Sequence, residues 1–502
     1  MSPYQTLLAS WHRAHLLDSI SGVLGWDQQT VLPPLAAAHR GEQMGFVAQL
    51  SHHELTSDAY RQALEAADAE TVALPALDGQ RRNVERAKRS LQRQAALPPA
   101  LVKDLNSAAV TGQTAWEEAK RRRDFKIFEE PLTRVIALSR EKARVLGYLN
   151  QPYDGLLPDF EWGVDTKQLD AIFTPLQKGL SALLDQVRAY KDVSFTDLGQ
   201  GFDATQQEMM GQELALAFGF SFEDGLLLTS AHPFSTTLGP RDFRITTRYV
   251  PEDFLSSFSA VAHEVGHSLY ERGLPADWAG QPIGNASSAG IHESQSLFWE
   301  KRIAQSRPFL KRWLKRFQAA FPGQLEHLKG DELFRVANRV RPSLIRVDAD
   351  EVTYSLHIII RFEIEKALIN DGLAVADIPA LWNEKYRHYL GIEPAHVSEG
   401  CLQDVHWSCG AFGYFPSYAL GHLFSAQFSA AMERDIGSLD AQIEADALPK
   451  ILGWLRTHIH SQGALFDSMD LVKKVTGQPL SIDPFLRAMQ EKIDQVYGSS
   501  RS

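Results

Sequence analysis

Cysteine is almost missing from this chain: Cys401 and Cys409 are the only two in 502 residues. That excludes a disulfide framework and leads us to expect a reducing, cytoplasmic compartment. The pair flanks His406, but its spacing matches none of the usual zinc patterns, so buried free thiols are expected. Long apolar runs are lacking too. None approaches the ~18 residues that a membrane-spanning helix needs. Met1-Ser2-Pro3-Tyr4-Gln5-Thr6 has no charged stretch leading into an apolar one, as a secretory signal would. Positive charge is in deficit, with 51 Lys and Arg against 62 Asp and Glu, which argues against a nucleic-acid partner. The densest basic run, Lys120-Arg121-Arg122-Arg123, follows Glu117-Glu118 and reads as a solvated, salt-bridged helix face.

Strand patterning is scarce as well. The clearest case is Asp242–Val250, where apolar and polar residues alternate. A partner at 225–230, joined through His232-Pro233-Phe234, would make a short hairpin with an unpaired edge able to hold a substrate backbone by strand addition.

What the chain has in abundance is helical periodicity. Apolar residues recur at threes and fours over 3–24, 36–50, 58–68, 78–96, 99–122, 127–147, 166–190, 204–217 and 251–272. The same holds for 286–303, 307–321, 331–340, 351–371, 377–390 and segments from 416 to 496. Ser57 is a candidate N-cap, and Pro251-Glu252-Asp253 is a start signal ahead of 254–272. No repeat or flexible linker divides the chain. We expect a mainly α fold forming a single domain over 1–502, with two helical lobes around a cleft as one arrangement.

Inside one of these helices stands His263-Glu264-Val265-Gly266-His267. Residues four apart share a helix face, so His263 and His267 can aim two imidazoles at one metal ion, with Glu264 beside them as general base for a water. The alternative is a surface helix that happens to carry two His and a Glu. A catalytic zinc site keeps three protein ligands. The downstream candidate is Glu293, in Ile291-His292-Glu293-Ser294-Gln295, and its alternative is an acid favoured at a helix N-terminus.

His263-Glu264-x-x-His267 followed by His292-Glu293-Ser294-Gln295 resembles the metallocarboxypeptidases of the thermostable carboxypeptidase (carboxypeptidase Taq) type. Three more segments carry the likeness: Asp242-Phe243-Arg244-Ile245-Thr246, Ile345-Arg346-Val347-Asp348-Ala349-Asp350, and Gly400–Trp407. It extends from Gly25-Trp26-Asp27 to the Gly410–Gly421 segment. The resemblance implies a helical, neurolysin-like body with a deep groove and a small sheet near the site, usually as a homodimer. It also implies a metal-dependent enzyme that removes single residues, with broad tolerance, from peptides with a free C-terminus. One divalent metal per chain is expected, zinc first, with cobalt or manganese as alternatives.

Within the matching segments, His406 and a tyrosine are the available donors for the oxyanion of peptide hydrolysis. The step from His406 to Tyr418 is similar to a His-to-Tyr step in neurolysin-like enzymes and favours Tyr418 over Tyr414. Core packing is the alternative for either tyrosine. Arg346 is the first candidate for the terminal carboxylate, because a guanidinium binds one bidentately and keeps its charge. An ion pair with Asp348 or Asp350 is the alternative. Arg244 is read as support for the groove or substrate backbone, or as a cross-strand ion pair. Gln403 is read as a substrate-side or orienting group, and Asp404 as an orienting group. Related enzymes often place an acid four residues after the ligand Glu, but here that position is Leu297. Two rivals share these features: an oligopeptidase cutting internal bonds, and a silent peptide-binding protein, for which a general base would have no use.

Overall fold

Helix occupies nearly every stretch with apolar residues at threes and fours. A computed structural model describes residues 2–190 and 193–498. The first helices are α1 (Pro3–Thr30), α2 (Ala37–Thr56), α3 (Asp58–Thr71) and α4 (Gly79–Ala96). Next come α5 (Pro99–Arg122), α6 (Lys126–Leu146), α7 (Thr166–Ala189) and α8 (Ala204–Phe218). Three strands follow, β1 (Gly225–Thr229), β2 (Ser235–Gly239) and β3 (Asp242–Thr247), then α9 (Phe254–Gly273) and α10 (Ala289–Leu297). A π-helical turn, Phe298–Ala304, continues α10 directly. Beyond it lie α11 (Arg307–Ala320), α12 (Pro322–Leu325), α13 (Glu332–Ala337), α14 (Glu351–Ile369) and α15 (Ile378–Leu390). The chain closes with α16 (Phe415–Ile436), α17 (Leu439–Glu444), α18 (Leu448–His458), α19 (Ser468–Thr476) and α20 (Asp483–Tyr497). None of these helices is long and apolar enough to cross a membrane.

The start signals act as capping chemistry predicts. The Ser57 side chain accepts from the Tyr60 amide, and Asp253 accepts from the Leu255 and Ser256 amides at the head of α9. One large apolar core runs from Leu101 to Tyr497, and a smaller cluster (Tyr4, Leu7, Trp11, Tyr60, Leu64, Val84) joins α1, α3 and α4. The second cluster gives the N-terminal helices a hydrophobic seam of their own.

The sheet differs from the expected hairpin. Its order is β1-β3-β2, with β1 parallel to β3 (Leu227 opposite Ile245) and β2 antiparallel to it (Thr236 opposite Arg244). The strand before the motif helix is therefore the central one and has no open edge. The loop residues His232–Phe234 lead into β2, a strand the alternation did not reveal. The outer side of β2 meets α1, whose Ser19 hydroxyl donates to the Leu238 carbonyl. Cys401 is buried as expected, whereas Cys409 is exposed. In the basic run, Arg121 and Arg122 pair with Glu118, but Lys120 turns inward over Trp116 and donates to the Gln403 carbonyl at 3.1 Å.

Two glycines set how closely the site helices approach. A Cβ on Gly266 of α9 would lie 2.6 Å from Ser296 Cα, and one on Gly421 of α16 would lie 2.7 Å from Glu293 Cγ. Both helices thus press against α10 with backbone, which seats Glu293 over the two histidines of α9.

Candidate metal centre and substrate groove

The two histidines of α9 and the acid of α10 converge. His263 Nε2 is 3.8 Å and His267 Nε2 is 3.6 Å from Glu293 Oε2, and one donor atom from each residue fits within a 4.8 Å span. Among the described residues this is the one group of His, Cys, Asp and Glu whose donor atoms could hold a metal ion. Two imidazole nitrogens and a carboxylate oxygen form a ligand set suited to catalytic zinc.

The opposite ring nitrogens decide whether both Nε2 atoms offer lone pairs, and both are engaged. His263 Nδ1 lies 2.9 Å from Glu300 Oε2, and His267 Nδ1 lies 2.5 Å from His292 Nδ1, whose Nε2 is 2.9 Å from Glu271 Oε1. If His292 donates through Nε2 to Glu271, its Nδ1 accepts from His267 and leaves His267 Nε2 free for a cation. Burial opposes charge on Glu300, but Lys301 at 2.7 Å and His263 outweigh it and bring its pKa to about 2. Burial likewise disfavours a charged His263, yet Glu293, Glu300 and Glu264 lift its pKa to about 9. Glu264 adjoins this centre, buried, with burial driving its pKa to about 7.

Glu300 answers the question that Leu297 leaves open. The orienting acid stands seven residues after Glu293 and sits in the π-helical turn, which local periodicity gives no reason to expect. Glu271 was more accessible to reasoning: His263, His267 and Glu271 form one i, i+4, i+8 stripe of α9. Both supports can be tested. Glu300→Ala and His292→Ala should each weaken zinc affinity ~10–100-fold, measured by chelator competition, because an unheld imidazole is a poorer and mobile ligand. Unchanged affinity in both variants would remove these residues from the centre.

A cavity of about 2060 Å³ opens onto the centre, lined by His263, Glu264, His267, Glu293, Arg346, Tyr354, Tyr414 and Tyr418. Arg346 is buried in its wall. Its Nε and Nη2 donate to Asp404 Oδ1 at 3.0 and 2.9 Å, and Nη1 donates to the Tyr354 hydroxyl at 2.9 Å. The partner is thus Asp404, neither Asp348 nor Asp350. The fully buried Arg361 holds the other oxygen of Asp404 at 2.7 Å. Against its burial, these two arginines keep the Asp404 carboxyl well below the usual range. Two guanidiniums share this one carboxylate, so the trio carries a net positive charge, and of the three only Arg346 lines the cavity.

Three expected site residues are not at that wall. His406 stands behind Tyr418, with Nε2 3.3 Å from the Tyr418 hydroxyl, and is absent from the lining. Burial first, then Arg346 and Arg361, hold its pKa down to about 4 against the pull of Asp404, so the ring is neutral at pH 7. Gln403 is spent on the backbone: its Oε1 accepts from the Arg346 amide at 2.8 Å, and Nε2 donates to the Leu344, Glu399 and Gly400 carbonyls. It shapes the loop under Arg346 and is absent from the cavity lining. Arg244 pairs with Asp242 of its own strand at 2.8 Å and lies over Trp26, away from the cavity. Position 242 is two residues away on the same face of β3, so an ion pair within the strand replaces the cross-strand one.

Comparison with known proteins gives matches along nearly the whole chain. A family profile described as carboxypeptidase Taq (M32) metallopeptidase matches residues 6–493. Thermostable carboxypeptidase 1 of Thermus thermophilus is 37% identical over 505 aligned residues, covering 99% of each chain. Carboxypeptidase 1 of Bacillus subtilis is 36% identical over 487 residues, covering 96% of each. The crystal structure of the M32 carboxypeptidase from Deinococcus radiodurans R1 superposes with a TM-score of 0.95 at 34% identity, covering 99% of both chains.

Proposed function

This chain belongs to the carboxypeptidase Taq (M32) metallopeptidase family, whose members are metal-dependent carboxypeptidases, and on that premise we propose a mechanism for its own residues. The enzyme releases single C-terminal amino acids from peptides, with broad side-chain tolerance. His263, His267 and Glu293 hold one divalent metal, zinc first with cobalt or manganese as alternatives; when bound, it supplies Lewis acidity toward the scissile carbonyl and lowers the pKa of a water toward ~7.

Glu264 takes the proton of the attacking water and passes it to the leaving amine. Its buried carboxyl, poised near neutrality, supports both halves of that transfer. Tyr418 donates to the developing oxyanion from the cavity wall, and Tyr414 lies next to it as a second hydroxyl. His406 acts through Tyr418, orienting its hydroxyl from behind. Arg346 anchors the terminal carboxylate, which would neutralise the excess charge it shares with Arg361 and Asp404. The same reading carries a cytoplasmic homodimer, on the strength of the family resemblance and the two unpaired cysteines.

The observation that carries this reading is the placement of Arg346, whose partner Asp404 is shared with Arg361, and of the buried Glu264 on one cavity beside the three-ligand group. The deciding experiment is mass spectrometry of one peptide during digestion. A ladder shortened from the C-terminus is expected. Fragments from internal cuts would favour the oligopeptidase, and an untouched peptide would favour a silent binder.

A further inference from the structure

One wall of the cavity takes no part in this chemistry. On α4, Arg86, Arg89, Ser90, Arg93 and Gln94 face the cavity at positions i, i+3, i+4, i+7 and i+8 of one helix face. This wall borders the beginning of α10. The Ala289 amide donates to the Phe160 carbonyl, and both Ser287 Oγ and Arg86 Nη2 donate to the Phe466 carbonyl. From there α10 leads past Glu293 into the π-helical turn, where Arg302 pairs with Glu351. Glu351 opens α14, the helix whose Tyr354 holds Arg346. Along this path of contacts Glu293 falls between the arginine face and Arg346. A peptide with its C-terminus at Arg346 and its scissile bond at the metal centre would run its upstream residues toward α4.

The charges on that wall do not balance. Asp467 is shared by Arg86 at 2.9 Å, Arg89 at 3.1 Å and Arg82 at 3.6 Å. Asp159 is shared by Arg93 at 2.5 Å and Lys142 at 2.7 Å. Arg82 has a second acid in Glu85, which Arg81 also takes. Glu271, the other nearby acid on the lining, is engaged by His292. Five cations thus meet two carboxylates plus a share of a third. Among the described residues the buried Arg86 Nε has no hydrogen-bond partner, and the Trp162 ring lies 4.8 Å below the Arg89 guanidinium, fixing its plane.

We infer that the α4 face is a subsite for acidic side chains on the N-terminal side of the scissile bond, with Arg89 and Arg86 as the residues that read them. This specificity rests on the carboxypeptidase reading above. It works through substrate binding, since the wall lies apart from the reacting atoms.

The test uses the metal-loaded enzyme and peptides of one length and one C-terminal residue, carrying Glu, Gln or Lys at a single upstream position moved one step at a time. At one or two adjacent positions Glu should exceed Gln by about 10-fold in kcat/KM, chiefly through KM, and the advantage should shrink as salt is raised. Arg89→Glu should turn the preference toward Lys while leaving release from the all-neutral peptide near its original rate. Arg89→Gln, a milder change, should flatten the preference. Equal rates for Glu, Gln and Lys at every position would overturn the inference, as would a Glu preference that survives both variants. The all-neutral peptide keeps the two ideas separate: failure to shorten it from its C-terminus would count against the carboxypeptidase reading itself.

Discussion

Replacing Glu264 with Gln is expected to lower turnover by at least ~10²-fold while metal content stays near one per chain. The reasoning is geometric. Glu264 lies beside the ligand group without belonging to it, so an amide of nearly the same shape leaves His263, His267 and Glu293 where they are. What the amide cannot do is take a proton from water. Glu293→Gln should behave the other way, losing metal affinity first and activity as a consequence, because a neutral oxygen is the poorer ligand. Elemental analysis beside steady-state kinetics separates the two variants. Chelation should abolish activity in the unmodified enzyme, and one equivalent of zinc or cobalt should restore it. A Glu264→Gln enzyme that kept most of its turnover would show the general base to be some other group.

Amidating the C-terminus of a peptide should slow release of its last residue by roughly 30-fold or more, the equivalent of about 2–5 kcal/mol for leaving a buried charge without its partner. Arg346, Arg361 and Asp404 together carry one positive charge, buried at and behind the cavity wall, and the substrate carboxylate is its natural complement. Arg346→Ala should impose a similar loss on the free acid and should distinguish acid from amide far less than the parent does. Both enzymes must be compared on both substrates, since either change alone could reflect damage to the groove. Discrimination retained in Arg346→Ala would shift the role to Arg341, which lines the cavity, ahead of Arg244, which does not. Equal cleavage of acid and amide by the unmodified enzyme would point to internal cutting.

The parts of this protein legible before folding are those governed by neighbours within a few residues. A 3.6-residue period places His263 and His267 on one face wherever the helix ends up, and Ser57 and Asp253 cap their helices through their own side chains. The three-ligand proposal needed only one step more, a second amphipathic helix carrying Glu293. Everything that depends on contact between distant segments was settled by packing. Glu300 reaches His263 because a π-helical turn redirects the chain after Leu297, and Glu293 reaches both histidines because Gly266 and Gly421 allow backbone-close crossings. The sheet order turned on a parallel pairing between β1 and β3, which alternation within either strand does not encode. Arg346 found Asp404, far along the chain, in place of the acids beside it, and that choice, with Arg361 on the other oxygen, decided the charge of the groove wall. His406 and Gln403 were displaced from the substrate side for a related reason: a buried polar side chain must satisfy its hydrogen bonds with whatever the fold brings near, and here those partners lay behind the wall.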